Sequence, residues 1–322
     1  EEIALEARNI NKYNPDNTGN MGRYYFTIAQ IFDDSYYERA IDFFKKATVL
    51  APQNTDYYNL VGQAYYAQGQ YDNALEWYEK AVTVDDRYQP SWLYKGDTHV
   101  AKSQMDEALT AHSRAIELNA PSFVGDNFDT RLNFYLSIEK IDGITEALQT
   151  YLDENPDANR GNNRGLVTWG MGHIHRRTGD VEEAIKKFEE ALQLGYDHQR
   201  VHIALGEIYL QQENYNSSER AYQNALAKQP NLPQAYSSLG FIYARTGRLE
   251  EAITANQKVL ESMPNDYDSN KNLALLNQQV GNLQEALNHA QTALSAAPEA
   301  NKPELQAFIN QVQSQLQPAP GN

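Results

Sequence analysis

Histidine is the residue type in this chain that is best suited to acid–base or metal chemistry, and seven histidines are spread along its 322 residues. His173 and His175 are two positions apart, which turns their side chains to different faces of a helix. His198 and His202 have the four-residue spacing of a helical metal site. His198, however, falls in a segment predicted to be a turn, so this spacing does not define one helix face. The sequence therefore predicts no metal site.

Other signatures of catalysis are missing from the sequence as well. The chain contains no cysteine, which excludes disulfides, thiolate metal sites and cysteine nucleophiles. It has no glycine-rich phosphate loop, no G-x-S-x-G elbow and no H-E-x-x-H motif. Its carboxylates are scattered at the spacing of solvated helix surfaces. We therefore predict that the protein is not an enzyme and uses neither a cofactor nor a metal.

The charge balance narrows the range of partners. A net charge of −16 opposes binding to nucleic acids and to anionic membrane surfaces, because both require a basic surface. The same charge favours solubility and basic or neutral partners. No apolar run reaches the roughly 18 residues that a membrane span requires, so the sequence predicts no span within this chain. The lack of cysteine is consistent with an extracytoplasmic location.

A spacing of 34 residues organises most of the chain and must position any binding residues. Rows of this length begin at Met21, Thr55, Gln89, Gly125, Gly165, Gln199, Pro233 and Tyr267. Each row holds two helical patterns that are separated by a turn. The eighth place is often glycine, the twentieth is mostly alanine, and proline recurs near the end of the row. Small residues let two helices approach closely, and proline ends the second helix.

This pattern resembles the tetratricopeptide repeat, over about residues 21–300. The resemblance implies an all-α fold, a right-handed α-solenoid of about eight helix hairpins in which each hairpin mainly contacts the next. We assign the repeats to residues 21–54, 55–88, 89–122, 125–158, 165–198, 199–232, 233–266 and 267–300. Residues 1–20 are assigned to an N-terminal helix or half-repeat and a loop, residues 301–316 to a capping helix, and residues 317–322 to a tail. Most histidines then stand at places where other rows carry an aromatic ring, as His112 does at the twenty-fourth.

The fourth row departs from the pattern. Leu132, Ile144 and Tyr151 stand where small residues are expected, two extra residues precede the row and six follow it. We interpret rows one to three and rows five to eight as two regular stacks around an irregular joint. The alternative is simple drift in one tolerant repeat.

The family resemblance also implies where a partner would bind. In tetratricopeptide proteins the first helices line a concave groove that takes an extended peptide or a partner helix. Carried over by position, the candidate groove residues here are Gln63, Asp97, Asn133, Trp169, His173, Arg176, Arg177, Glu207 and Phe241. Acidic residues collect in the N-terminal half of this surface and arginines in the C-terminal half. The alternative is that any solvated concave wall needs polar residues.

Two observations bear on the kind of partner. The Lys/Asn set that holds a C-terminal carboxylate in chaperone-binding relatives is absent, because the fifth and ninth places of the first row are Tyr25 and Ala29. The stretch from Tyr13 to Thr18 and the run from Glu38 to Asn59 are similar to repeat domains of bacterial O-antigen ligase- or polymerase-like membrane proteins. That resemblance implies a bacterial, extracytoplasmic domain without glycosyl-transfer chemistry of its own.

Three functions are consistent with the sequence. The first is a non-enzymatic scaffold that binds a protein, a peptide or a surface component such as a glycan in its groove. The second is a structural protein that self-associates end to end, through an N-terminal edge that carries Ile3, Leu5 and Ile10. The third is an extracytoplasmic regulatory domain of a surface-glycan polymerase or ligase. An Asn-Ser-Ser sequon also makes Asn216 a candidate glycosylation site.

Overall fold

The computed structural model describes residues 13–156 and 163–316. In these two ranges the chain forms seventeen α-helices, one short 3-10 helix and no strand. The helices are α1 (Pro15–Ile31), α2 (Tyr36–Leu50), α3 (Thr55–Ala67), α4 (Tyr71–Val84), α5 (Gln89–Ala101), α6 (Met105–Val124), α7 (Phe128–Ser137), α8 (Ile141–Glu154), α9 (Asn163–Thr178), α10 (Val181–Gln193), α11 (Gln199–Gln211), α12 (Tyr215–Lys228), α13 (Pro233–Arg245), α14 (Leu249–Ser262), α15 (Tyr267–Gln279), α16 (Leu283–Ala296) and α17 (Lys302–Leu316). The predicted all-α solenoid fold is confirmed.

Consecutive helices pair as hairpins, and each hairpin packs on the next within two compact units. Unit 1 is Glu1–Leu194 and contains the described helices α1 to α10, while unit 2 is Gly195–Asn322 and contains α11 to α17. The boundary between the units therefore lies near the end of the fifth row, one row after the irregular fourth row.

The 34-residue rows agree closely with the helices. The helices α3, α5, α11, α13 and α15 begin at Thr55, Gln89, Gln199, Pro233 and Tyr267, which are the first residues of their rows. Every residue at the twentieth place is buried: Ala40, Ala74, Ala108, Ile144, Ala184, Ser218, Ala252 and Ala286. The small side chains at this place are thus buried at helix contacts, as the pattern predicts.

The first helix begins earlier than the sequence suggested. The sequence assigns part of residues 1–20 to a loop. Instead, Pro15 is the first residue of α1, and the Asn14 side chain accepts hydrogen bonds from the backbone N–H groups of Asp16 and Asn17 at 2.8 and 3.3 Å. Proline is well tolerated in the first helical turn, where its missing N–H has no partner to lose. The loop assignment is wrong for residues 15–20.

The fourth row is irregular in a specific way. The helix α6 runs through the end of the third row with a break at Asn119, two residues before Pro121, and its last residues Phe123 and Val124 are fully buried. The helix α7 is only ten residues long. The helix α8 packs mainly against α6, where the other second helices pack against the first helix of their own row. The row is therefore not a standard hairpin.

Unit 2 ends in a helix that covers the last hairpin. Leu305, Ile309 and Val312 of α17 are buried, and α17 packs against α16. Such a helix gives the last repeat a polar outer face. None of the helices in the described part of the chain has the length and apolar character that crossing a bilayer requires.

Candidate binding groove

Unit 1 contains a polar cavity between its first helices. It has a volume of about 330 Å³. The helix α1 contributes Arg23, α3 contributes Asp56, Asn59, Leu60 and Gln63, and α5 with its N-cap contributes Tyr88, Pro90 and Tyr94. Asp56 and Pro90 share the second place of their rows, and Leu60 and Tyr94 share the sixth, so the stacking of the hairpins brings these residues together. Of the predicted groove residues, Gln63 lines this cavity.

The cavity wall is rich in hydrogen-bonding groups. The Tyr88 hydroxyl donates to the Asp56 carboxylate, and burial together with this bond raises the pKa of Tyr88 to about 12. Gln63 donates to the Tyr94 hydroxyl. Asn59 is buried and donates to Ser91 Oγ at 3.0 Å, while its Oδ1 has no hydrogen-bond partner among the described residues. Such a wall offers donors, acceptors and ring faces for recognition.

Asp97, a predicted groove residue, instead forms a buried polar network. Arg131 Nε and Nη2 donate to its two carboxylate oxygens at 2.7 and 2.8 Å, and His112 Nε2 lies 3.1 Å from Oδ1. His112 is fully buried and its Nδ1 lies 2.8 Å from the Tyr135 hydroxyl. Burial alone would raise the pKa of Asp97, but the bonds from Arg131 and His112 outweigh it and hold the pKa below its usual value. Asp97 therefore ties α5 to α6 and α7.

This network should make the stability of unit 1 sensitive to acid. Burial lowers the pKa of His112 in the folded protein, against the opposing effect of Asp97. The unfolded chain would take up a proton near the usual histidine pKa of about 6.5. The stabilisation from neutral His112 is therefore complete above that pH and is lost as the pH falls towards the lowered folded value.

Thermal denaturation at neutral pH and near pH 5.5 (about one unit below the usual value) measures this effect. Tryptophan fluorescence reports unit 1 alone, because the three tryptophans of the chain are Trp77, Trp92 and Trp169. The control is His112→Phe, because the fifth row carries a phenylalanine, Phe188, at the place of His112. An equal loss of stability in acid for the variant and the wild type would contradict the assignment to His112.

Four predicted residues come together where α9 faces α7. Asn133 accepts a hydrogen bond from Arg177 Nη2 at 2.8 Å, and His173 Nε2 lies 2.7 Å from Asp129 Oδ1. Trp169 stacks on His173 with the ring centroids 5.5 Å apart. Trp169 and His173 are 7% and 8% exposed, so neither ring presents an open face to a ligand. Asn133 and Arg177 are exposed.

The remaining candidates lie elsewhere. Arg176 is half-buried on α9. In unit 2, Glu207 accepts a hydrogen bond from Gln234 at 2.6 Å, and Phe241 is half-exposed on α13. Asn216 is exposed in the first turn of α12, and the hydroxyl of the third sequon residue, Ser218, is buried and donates to the Gly206 carbonyl at 2.8 Å.

The association edge at Ile3, Leu5 and Ile10 lies outside the described residues. In the part of the chain that the structure describes, no group of three or more His, Asp or Glu side chains is placed to hold a metal ion.

Sequence reasoning missed Arg131, which holds the Asp97 network together. Arg131 is 3% exposed and also donates to the carbonyls of Phe123 and Asp126 at 2.9 and 2.7 Å. A signal was present: Arg131 stands at the seventh place, which is apolar in most rows, as at Val61 and Leu239. A charged residue at an apolar place predicts a buried partner.

Comparison with known proteins gives a consistent result. Three family models described as tetratricopeptide repeat match residues 55–88, 165–231 and 203–267. The C-terminal part of a TPR repeat-containing protein from Cytophaga hutchinsonii has a similar structure, with 16% identity, a TM-score of 0.51 and coverage of 89% of this chain and 99% of that chain.

Two further structures are similar with lower TM-scores. MamA has 21% identity and a TM-score of 0.44, over 54% of this chain and 94% of that chain. YrrB, described as a TPR protein with an unusual peptide-binding site, has 15% identity and a TM-score of 0.40, over 84% of this chain and 97% of that chain. No protein with a curated function matches this chain. At these identities the structural likeness concerns the fold alone.

Proposed function

Because the chain is a tetratricopeptide repeat protein, we propose that it is a non-enzymatic interaction scaffold that binds an extended segment of a partner protein along the first helices of unit 1. The observation that carries this proposal is the polar cavity between α1, α3 and α5. A repeat array offers its partner a long surface built from equivalent places of successive rows. The cavity lies on such a surface.

The wall of the cavity suits a peptide backbone. An extended peptide presents alternating N–H and C=O groups that must keep their hydrogen bonds when they leave water. The side chains of Gln63 and Tyr88 offer a donor and an acceptor at this wall. A peptide in the cavity would keep backbone hydrogen bonds through these two side chains.

The charges in the cavity favour a segment of mixed polarity. Arg23 and Asp56 place one cation and one carboxylate at its rim, while the tyrosine rings supply apolar area. Rim charges mainly steer association and select among partners. Binding energy is expected from the tyrosine rings, since tyrosine is enriched where binding energy concentrates.

A displayed library of random peptides, selected on the whole chain, tests the proposal. Enriched peptides are expected to bind at least tenfold more weakly, about 1.4 kcal/mol, when Asp56→Ala and Gln63→Ala are combined. The matched control combines Asp42→Ala and Gln223→Ala, which are exposed on the second helices α2 and α12. Equal affinity of the enriched peptides for the wild type and the cavity variant would contradict the proposal.

The sequence-based predictions of an extracytoplasmic location and of end-to-end association stay predictions. The edge that would carry the association lies outside the described residues. We infer the scaffold function from the repeat fold and the cavity, and neither depends on the location of the protein.

A further inference from the structure

A glycine and an aromatic ring form a recurring contact inside the hairpins. In four rows the glycine at the eighth place lies against a ring at the twenty-fourth place: Gly62 against Tyr78, Gly96 against His112, Gly172 against Phe188 and Gly206 against Tyr222. The contacts are close, because a methyl group added at Gly62 would lie 2.5 Å from Tyr78 Cε1. These rings are buried, so the space beside the glycine is normally filled by the chain itself.

The seventh row lacks this ring. Its eighth place is Gly240, but its twenty-fourth place is Asn256, whose side chain is much smaller than a phenol. Asn256 Nδ2 donates to the Ala252 carbonyl at 2.8 Å, and Asn272 Nδ2 lies 3.3 Å from Asn256 Oδ1. The amide also lies against Gly240, because a methyl group added at that glycine would be 2.5 Å from Asn256 Nδ2. A cavity of about 230 Å³, which we name the Asn256 pocket, opens beside the amide.

The walls of the Asn256 pocket are apolar at the mouth and neutral throughout. Phe241 and Leu275, both at the ninth place of their rows, are 50% and 47% exposed at the pocket. The amides of Asn256, Asn272 and Gln279 supply its polar groups. No lining residue is charged, although 22% of the chain is Asp, Glu, Lys or Arg. A neutral apolar concavity with a few polar groups is the usual form of a ligand pocket.

We propose that the Asn256 pocket binds a tyrosine side chain of a partner segment. The argument for this occupant comes from the repeat itself, because Tyr78 and Tyr222 stand at the place of Asn256 in the second and sixth rows, and the shorter amide replaces only part of such a ring. In the seventh row the ring would come from outside the chain. It would lie beside the Asn256 amide, between Phe241 and Leu275, with its hydroxyl close to the amides of Asn272 and Gln279.

The chemistry of the lining selects against other side chains. A lysine or a carboxylate would lose its hydration without gaining an ion pair, which is costly. A purely apolar ring would take water away from the exposed amides of Asn272 and Gln279 without replacing its hydrogen bonds, and discrimination of this kind against a ligand that lacks the hydroxyl is strong. Apart from Asn256 on α14, the lining residues of the pocket stand on the first helices α13 and α15. The inference rests on the proposed function, because it requires the partner segment to follow first helices in unit 2 as well.

The probe for the test is 4-methylphenol, the side chain of tyrosine without its backbone. Titration of the isotope-labelled whole chain is expected to give saturable NMR shifts for residues around Phe241 and Leu275, and toluene is expected to bind more weakly. In Asn256→Tyr, which restores the ring of the sixth row, the pocket is filled and 4-methylphenol binding should weaken at least tenfold. That variant should also unfold at a higher temperature.

A second pair of variants keeps the test decisive if Asn256→Tyr does not fold. Phe241→Ser removes the exposed wall of the pocket and should weaken 4-methylphenol binding at least tenfold. Met263→Ser is its matched control, since Met263 is 42% exposed in unit 2 but does not line the pocket. The absence of saturable shifts in the wild type would overturn the proposal. Binding that is equally tight in Phe241→Ser and Met263→Ser would also overturn it.

The outcome is separate from that of the peptide-library experiment. The cavity variant with Asp56→Ala and Gln63→Ala changes unit 1 only and should bind 4-methylphenol as the wild type does. If library peptides fail to depend on that cavity while 4-methylphenol still binds at Phe241, the Asn256 pocket stands and the unit 1 proposal falls. If library peptides depend on the unit 1 cavity but 4-methylphenol does not bind at Phe241, the proposal for the Asn256 pocket falls and the unit 1 proposal stands.

Discussion

Replacing Arg131 with alanine is expected to lower the free energy of unfolding of unit 1 by about 3–5 kcal/mol. The change leaves the Asp97 carboxylate without its two hydrogen bonds from the guanidinium, and it leaves the carbonyls of Phe123 and Asp126 without a donor. Removing one partner of a buried ion pair is costly because the other charge stays behind without compensation. Urea denaturation followed by tryptophan fluorescence measures the loss.

An exposed ion pair on a neighbouring helix provides the control. Arg114 pairs with Glu117 at 2.6 Å on the surface of α6, and Arg114→Ala should cost no more than about 1 kcal/mol. Combining Arg131→Met with Asp97→Leu should recover most of the loss, since apolar side chains of similar size leave no buried charge. A cost for Arg131→Ala that is as small as that for Arg114→Ala would show that the network does not stabilise the fold.

Replacing Tyr222 with alanine is expected to lower the stability of unit 2 by about 3–5 kcal/mol. Tyr222 is 1% exposed and its ring lies against Gly206, so its removal leaves a hole in a closely packed hairpin. The hole would resemble the Asn256 pocket, one row earlier. We therefore expect 4-methylphenol to raise the unfolding temperature of Tyr222→Ala more than that of the wild type, because a ligand stabilises the state that binds it.

Circular dichroism during thermal denaturation measures this loss, since unit 2 contains no tryptophan. Gln223→Ala is the control, because Gln223 is the next residue of α12 and is exposed. Its effect should stay within about 0.5 kcal/mol. A loss for Tyr222→Ala below about 1 kcal/mol would mean that the neighbouring side chains close the hole.

Much of the fold could be predicted because its information is repeated. Ala252 stands at the twentieth place of its row, as seven other residues do in theirs, and all eight are buried. Each row therefore supports the same prediction. The start of α1 could not be predicted in this way, because Pro15 has one meaning at the end of a row and another after the capping residue Asn14. A proline both ends and begins helices, and only its neighbours decide which.

The candidate site was harder to predict than the fold, since a repeat pattern places a residue on a helix face without naming its partner on another helix. Gln63 lines a cavity and Phe241 is half-exposed, so the ninth place is accessible in these two rows. Asp97 occupies the same place, yet its carboxylate is taken by Arg131 from the next row. The repeat pattern did not predict the Asn256 pocket either. The missing ring is found only when the side-chain sizes at the twenty-fourth place are compared between rows.

The contacts of the helix α7 affect how cooperatively unit 1 unfolds. Besides apolar contacts such as that of Phe128 with Phe123, it is joined to its neighbours by charged and polar pairs. These pairs run from Arg131 to Asp97 on one side and from Asp129 and Asn133 to α9 on the other. In a repeat array, cooperativity passes from hairpin to hairpin through their shared apolar interfaces. At α7 that transmission depends on charge as well, so we expect ionic strength and acidity to affect whether the first three hairpins and the fifth unfold in one transition or in two.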